Sequence, residues 1–383
     1  MCTGVVYSFS VFAGPLQEVH GWTTGDVMLA FAINGALAPV PMILGGVALD
    51  RGGARALMIA GAVLFGGGFA LTGTASTPFQ LCLWYGVVTA FGLGFCYTTA
   101  VSNTVKLFPE RQGLAAGLIT AGVGAGTVIG APVARAVIDA AGVSAAFVRM
   151  GLVYGVVAVV AATFVRSAPT AGEGMAGAAG VPWHAMVRST RFPVIFLLLA
   201  AGLFAPLMVV SQLSGIGQSP WYGLSAASAA LFVAGFAACN AIGGPLWGAV
   251  ADRRGPATAV ALMFLVSAGS LVVLLSVHSF AGFGIGVIGI GSCFGGVMGV
   301  FPALTMTTFG PRYQGTNYAV MFIAYSVSAF AGPRVAASGG GAYTVPFVVA
   351  IIVSLLGLAL TALLRRRNDV VPAAATTQVA TSG

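Results

Sequence analysis

Apolar residues run along this chain in long unbroken blocks, without the alternation a half-buried strand would show. Twelve such blocks lie at about 2–17, 26–49, 56–75, 78–104, 113–134, 146–165, 192–213, 224–250, 256–277, 280–308, 315–336 and 343–364, each bounded by charge, Pro or Gly. Most reach the roughly 20 residues with which an α-helix crosses about 30 Å of hydrocarbon. Inside a bilayer every backbone amide must bond within its own segment, so blocks of this length are predicted to be helices. The pattern predicts an all-α polytopic membrane protein. The first block has no basic flank and no small-residue cleavage site, so it is not expected to act as a cleavable leader. At about 24 Å of helix it falls short of the hydrocarbon core, and is expected to be a first span whose beginning is missing. Residues 167–190, rich in Gly, Ala and Pro, are expected to link a bundle over 1–166 to a second over 191–366. Residues 367–383 are expected to form a disordered tail.

Composition supports the same solvent. The chain is 58% hydrophobic and 6% charged, with mean hydropathy +1.00, whereas soluble domains carry about 25% charged residues. The net charge of +8 is made of fifteen arginines and one lysine against eight acids. Placing successive loops on alternate sides puts thirteen basic residues together: Arg51, Arg55, Lys106, Arg111, Arg166, Arg188, Arg191, Arg253, Arg254, Arg312 and Arg365 to Arg367. Only Arg135, Arg149 and Arg334 fall towards the other side. This asymmetry predicts a cytoplasmic linker and C-terminus, and residence in the inner or plasma membrane. The scattered arginines form no patch for nucleic acid. Cys2, Cys82, Cys96, Cys239 and Cys293 lie in apolar runs without metal-ligand spacing and read as packing residues. No zinc motif, Gly-rich phosphate loop or Ser/His/Asp set is apparent, so no enzyme, cofactor or metal is expected. The expected partners are a small-molecule solute and membrane lipids, with the chain working as a monomer.

The charges also reveal a repeat. Residues 45–57 read GGVALDRGGARAL and residues 243–257 read GGPLWGAVADRRGPA, placing Asp50 and Asp252 202 residues apart. FPERQG at 108–113 returns as FGPRYQG at 309–315, and Ala-Pro at 131–132 as Gly-Pro at 332–333. Two like-oriented halves of six spans describe a transporter built on parallel repeats.

The sequence GGVALDRGGAR resembles the signature loop of the major facilitator superfamily between spans 2 and 3, and GAVADRRGP resembles its counterpart between spans 8 and 9. The run YGVVTAFGLGFCYTTAVSNTVKLFPERQGLAAGLITAGVGAG (85–126), GVVYSFSVFAGPL, NAIGGPLWGAVADRRG and GTNYAVMF are similar to the oxalate:formate antiporter and monocarboxylate porter families. The resemblance covers nearly the whole chain. It implies alternating access, with Asp50 against the start of span 11 near Gly315 and Asp252 against span 5 near Gly113. Carboxylates there would cap helix N-termini. Arg51, Arg55, Arg253 and Arg254 are expected to add ion pairs and headgroup contacts. The alternative is that all six charges act only as topology signals.

Polar residues within spans are the solute candidates. They are Tyr7 and Ser10, Asn34, Tyr97 and Asn103, Ser211 and Gln212, Asn240, and Asn317, Tyr318 and Tyr325. Tyr7, Asn34, Tyr97, Gln212, Asn240 and Tyr325 are favoured, with interhelical hydrogen bonding the alternative for each. Tyr97 and Tyr325 stand out because a phenol offers a donor and an apolar face together. Oxalate-type members carry an arginine in span 8 and a lysine in span 11. Here those positions fall on Gly244 and on or beside Tyr325, so a dianion is disfavoured. Arg135, Arg149 and Arg334 are candidates for outer-mouth charge, or for headgroup anchoring. No Asp or Glu lies deep in a span, which favours exchange or facilitated movement over carboxylate-mediated proton symport. A small, monocarboxylate-like anion is the expected cargo. A neutral solute, or a non-transporting sensor or accessory protein on the same fold, is the alternative.

Overall fold

The chain folds into α-helices, as the apolar blocks predict. A computed structural model describes residues 9–168, 180–339 and 343–369, with the side chains of 10, 127 and 363–369 outside the description. Tyr7, the centre of the linker and most of the C-terminal tail therefore lie outside the described residues.

The first half contains α1 (Phe9–His20), α2 (Thr24–Leu37), α3 (Pro39–Asp50) and α4 (Ala54–Thr72). Next, α5 (Pro78–Leu81) runs through a π-helical stretch (Cys82–Val88) into α6 (Thr89–Leu107), followed by α7 (Gln112–Ala141) and α8 (Val143–Thr163). The linker carries the short α9 (Trp183–Arg188). The second half comprises α10 (Arg191–Gln218), α11 (Ala226–Arg254), α12 (Pro256–Ser276), α13 (Phe280–Phe309), α14 (Gln314–Met321), α15 (Ile323–Ser338) and α16 (Thr344–Asp369). Among the described residues eleven helical runs are long and apolar enough to cross a membrane, from Thr24–Asp50 onward. They coincide with the second to twelfth blocks. Residues 367–369, assigned from sequence to the tail, continue α16.

Two spans are interrupted where the sequence suggests continuity. Span 2 divides into α2 and α3 at Ala38, because Pro39 and Pro41 supply no amide donors to the preceding turn. Span 11 divides into α14 and α15 at Phe322, whose amide bonds back to Tyr318.

The packing identifies where the halves meet. One apolar cluster lies within the first half and includes Phe12, Phe65, Phe69, Tyr85 and Phe147. A second lies within the second half and includes Met208, Phe236, Leu274, Phe283 and Phe347. Both sit towards the end opposite the arginine-rich loops. The third cluster crosses the seam, packing Met42, Val101, Val105 and Ala116 with Trp247, Met298, Phe301, Tyr318 and Phe322. Thus the halves share one core towards the arginine-rich end and keep separate cores at the other.

Candidate functional site

The seam is tightest where the two aspartates lie. Helix α3 stops at Asp50 because Gly52 and Gly53 follow with φ of 108° and 90°, conformations open to glycine. The carboxylate then reaches the first turn of α14. It accepts from the Gly315 amide at 3.0 Å, the Thr316 amide at 2.8 Å and the Thr316 hydroxyl at 2.8 Å. Lys106 Nζ lies 2.9 Å away, with both side chains largely withdrawn from solvent. The first amides of a helix have no intrahelical acceptor and carry partial positive charge, so a carboxylate satisfies both. Backbones touch beside it: a Cβ added to Gly46 would lie 2.6 Å from the Gly315 carbonyl carbon.

Asp252 makes the reciprocal contact. It accepts from the Gly113 amide at 2.8 Å and the Leu114 amide at 2.9 Å, in the first turn of α7. Unlike Asp50 it is exposed. A Cβ on Gly113 would meet the Gly248 carbonyl oxygen at 2.5 Å, and one on Gly117 the Pro245 nitrogen at 2.7 Å. Glycines at these positions let α7 and α11 approach backbone to backbone.

The four arginines differ from expectation. Arg51, Arg55, Arg253 and Arg254 are exposed, and among the described residues none lies within 4.0 Å of a carboxylate. Arg55 Nε donates instead to the Val165 carbonyl at 3.3 Å. Each aspartate is instead held by helix-start amides, and Asp50 also by the Thr316 hydroxyl and Lys106. Lys106 was legible only as one more basic loop residue, although its being the sole lysine was a clue.

Nearer the middle of the seam, Tyr97 of α6 and Tyr325 of α15 come together around Phe322. The Tyr325 and Phe322 rings stack at 5.0 Å and 10°, and the Tyr97 ring lies 5.7 Å from Phe322. The Tyr97 hydroxyl points to Met298 Sδ at 3.8 Å, and Tyr318 is fully buried 5.9 Å from Phe322, ring to ring. Tyr318, Phe322 and Tyr325 follow at i, i+4 and i+7, a one-sided aromatic stripe. Phe322 and Met298 were not singled out from sequence because neither is polar.

Several other candidates have structural partners. Asn34 is buried and donates to the Tyr85 carbonyl of the π-helical stretch at 2.8 Å. Tyr85 is twelve residues before Tyr97, about 18 Å along the helix, so Asn34 does not join the aromatic group. Asn103 brackets the start of the linker, donating to the Arg166 carbonyl at 2.8 Å and accepting from the Ala168 amide at 2.9 Å. Asn317 donates to the Val181 carbonyl at the linker's end at 2.8 Å. Ser211 bonds its own helix at Met208. Gln212 is half-buried on α10. Asn240 is half-buried on α11, and its Oδ1 has no hydrogen-bond partner among the described residues.

At the opposite end, Arg135 pairs with Asp139 at 3.0 Å, both exposed. Arg334 lies 3.3 Å over the Phe330 ring centroid, and Arg149 is exposed on the second turn of α8.

Two like-oriented helical bundles, joined by a linker and capping one another's helices across a shared seam, are the architecture of a secondary transporter of the parallel-repeat type. The chain belongs to the Major Facilitator Superfamily, whose family model matches residues 1–333 and again residues 222–381. It is 26% identical over 379 residues to the oxalate:formate antiporter of Oxalobacter formigenes, covering 94% of this chain and 87% of that one. It is 35% identical over 99 residues to monocarboxylate transporter 9 of Rattus norvegicus, covering 26% of this chain and 20% of that protein. In fold it is similar to the fucose:proton symporter of Escherichia coli, with TM-score 0.70, 15% identity and coverage of 96% and 95%. It is likewise similar to the human organic anion transporter MFSD10, with TM-score 0.70, 14% identity and coverage of 94% and 98%.

Proposed function

We propose that this protein moves a small organic solute, a monocarboxylate-like anion, across the membrane by alternating access. The moving bodies are the bundles over 1–166 and 191–366, and the sealed end is the one bearing Asp50 and Asp252. The observation that carries the reading is the crossed pair of carboxylate caps, each reaching from one half to a helix start in the other. Such contacts hold only while that end is shut, so they bias a two-state equilibrium. The separate apolar cores at the opposite end fit a cleft open to that side.

Within the cleft, Tyr97 and Tyr325 are the solute contacts the geometry favours, with Asn240 on α11. Gln212 stands twelve residues, about 18 Å, beyond Ala200, the α10 residue that meets Ser328, and so lies nearer the opposite end of the cleft. Two phenols can donate to one carboxylate while their rings and Phe322 cover an apolar body. Among the described residues no cationic side chain stands with them, which favours a monoanion over a dianion, because burial of a second charge would lack compensation. The likeness to the oxalate:formate antiporter and to monocarboxylate transporter 9 supports the carboxylate class. Gly244 and Tyr325 at the family's cationic positions argue for a different member of it.

Uptake of labelled small monocarboxylates into proteoliposomes, with and without unlabelled solute inside, tests the reading. Asp50→Asn removes a charge-assisted cap on the order of 3 kcal/mol and is expected to slow flux while membrane insertion stays intact. Wild-type turnover in that variant would remove the gate from the account. Absence of any flux in the unmodified protein would favour the sensor reading.

A further inference from the structure

We propose that the Tyr318 hydroxyl is a second contact for the solute's carboxylate, presented only when the sealed end opens. The inference rests on the alternating-access reading above and adds an inward-facing donor to Tyr97 and Tyr325. Tyr318 is fully buried, and among the described residues its hydroxyl makes no hydrogen bond of good geometry. The Tyr97 phenol of the other half is near enough to interact with it, but the Tyr97 hydroxyl is turned to Met298 Sδ at 3.8 Å. A phenol buried without an acceptor has lost water and gained nothing in return, which is costly. Native interiors rarely keep such a group. Its retention at the seam points to an acceptor that arrives in the other pose, and a carboxylate passing towards the sealed end is one.

The place of Tyr318 along span 11 fits that order of events. Helix α14 starts at the sealed end with Gln314, so Tyr318 lies about 6 Å nearer that end than Phe322 and about 10 Å nearer than Tyr325. The Phe322 ring is 5.9 Å from the Tyr318 ring and 5.0 Å from that of Tyr325. It stands between the Tyr318 hydroxyl and a solute held at Tyr325. Tyr318 rides on α14 and Tyr325 on α15, on either side of the break at Phe322. Tyr97 and Tyr318 belong to different halves, so parting them uncovers the hydroxyl on the exit side. The repeat shows that packing does not require it. Counting from the matched Gly113 and Gly315, Tyr318 corresponds to Ala116, which fills the same shared core with a methyl.

The test is sided transport by the full chain in uniformly oriented proteoliposomes. The probe is whichever of labelled formate, acetate and lactate the wild type moves fastest. Tyr318→Phe keeps the ring and removes only the hydroxyl. It is expected to raise KM measured from the arginine-rich side by at least about tenfold, the change that about 1.4 kcal/mol produces. KM from the opposite side should stay within about twofold. The solute-free Tm should not fall, since the hydroxyl removed has no partner in the sealed pose. Removing a buried unpaired group also favours that pose, so its population is measured separately. Spin labels at Ala56→Cys and Ala257→Cys, one on each half at the arginine-rich end, report it in the chain with its native cysteines replaced. A rise in KM no larger than the population change assigns the hydroxyl to the pose balance alone and overturns the contact. Equal rises on both sides, a lower Tm or failure of Tyr318→Phe to insert would show a structural hydroxyl and overturn it as well. Wild-type flux with an unmoved inner KM in the variant sinks this inference alone. No flux of any of the three probes in the wild type overturns the alternating-access reading and this inference with it.

Discussion

Gly248→Ala adds one methyl where the seam has no room for it. A Cβ there would run into the Gly113 carbonyl and lie 2.8 Å from the Leu114 nitrogen. These are backbone atoms of the same α7 turn that Asp252 caps, so no side chain can swing aside. To reach ordinary contact distance α7 and α11 must part by roughly 1 Å. Forcing a methyl into a packed site costs about 1–3 kcal/mol, and here that cost falls on the sealed pose alone. Once the halves separate, the methyl no longer meets the opposite backbone. The equilibrium should therefore move about 5–150-fold towards the open pose. Spin labels at Ala56→Cys and Ala257→Cys measure it as growth of the long-distance population. The control is Gly235→Ala in the same helix, where an added Cβ meets nothing within 4 Å. There alanine should only improve helix propensity, by up to about 1 kcal/mol, and leave the distances unchanged. A Gly248→Ala protein that inserts and stays sealed like the wild type would refute the reasoning, as would equal opening by Gly235→Ala.

Two further substitutions separate structural from solute roles. Asn34→Ala leaves the Tyr85 carbonyl without its donor inside the π-helical stretch, at a cost of about 1–3 kcal/mol. The measurable result is a lower Tm with solute-induced stabilisation intact, and an unchanged Tm would show that the helix re-forms around the loss. Tyr97→Phe keeps the ring beside Phe322 and removes only the hydroxyl. It should reduce the Tm rise caused by small monocarboxylates while leaving the unligated Tm close to wild type, and an undiminished rise would remove Tyr97 from the solute site.

The two gate aspartates and the tyrosines Tyr97 and Tyr325 could be singled out before any coordinates because each leaves a one-dimensional trace. Asp50 and Asp252 recur at matched places in two copies of one loop. Tyr97 and Tyr325 are phenols within long apolar runs, while Phe322, which joins them, carries no polar group to mark it. Asn34, Asn103 and Asn317 were misleading for a physical reason. A polar side chain in an apolar helix must find a partner, and backbone carbonyls of a neighbouring helix or of the linker serve as well as a solute. Nothing in the local sequence distinguishes those partners. The same limit explains Arg51, Arg55, Arg253 and Arg254, whose places in the matched loops were legible while their lack of a carboxylate partner among the described residues was not.

By itself, the sequence determined the solvent, the helical class, the span boundaries to within a turn or two, and the duplication into halves. These follow from apolar run length and from repetition, which are properties of the chain read in order. Tertiary structure alone decided which donors fill each carboxylate, that Lys106 rather than an arginine stands beside Asp50, and that the two ends of the seam pack differently. Those outcomes depend on how closely Gly113, Gly117, Gly244 and Gly248 bring two backbones together, a distance set by helices more than a hundred residues apart in the chain.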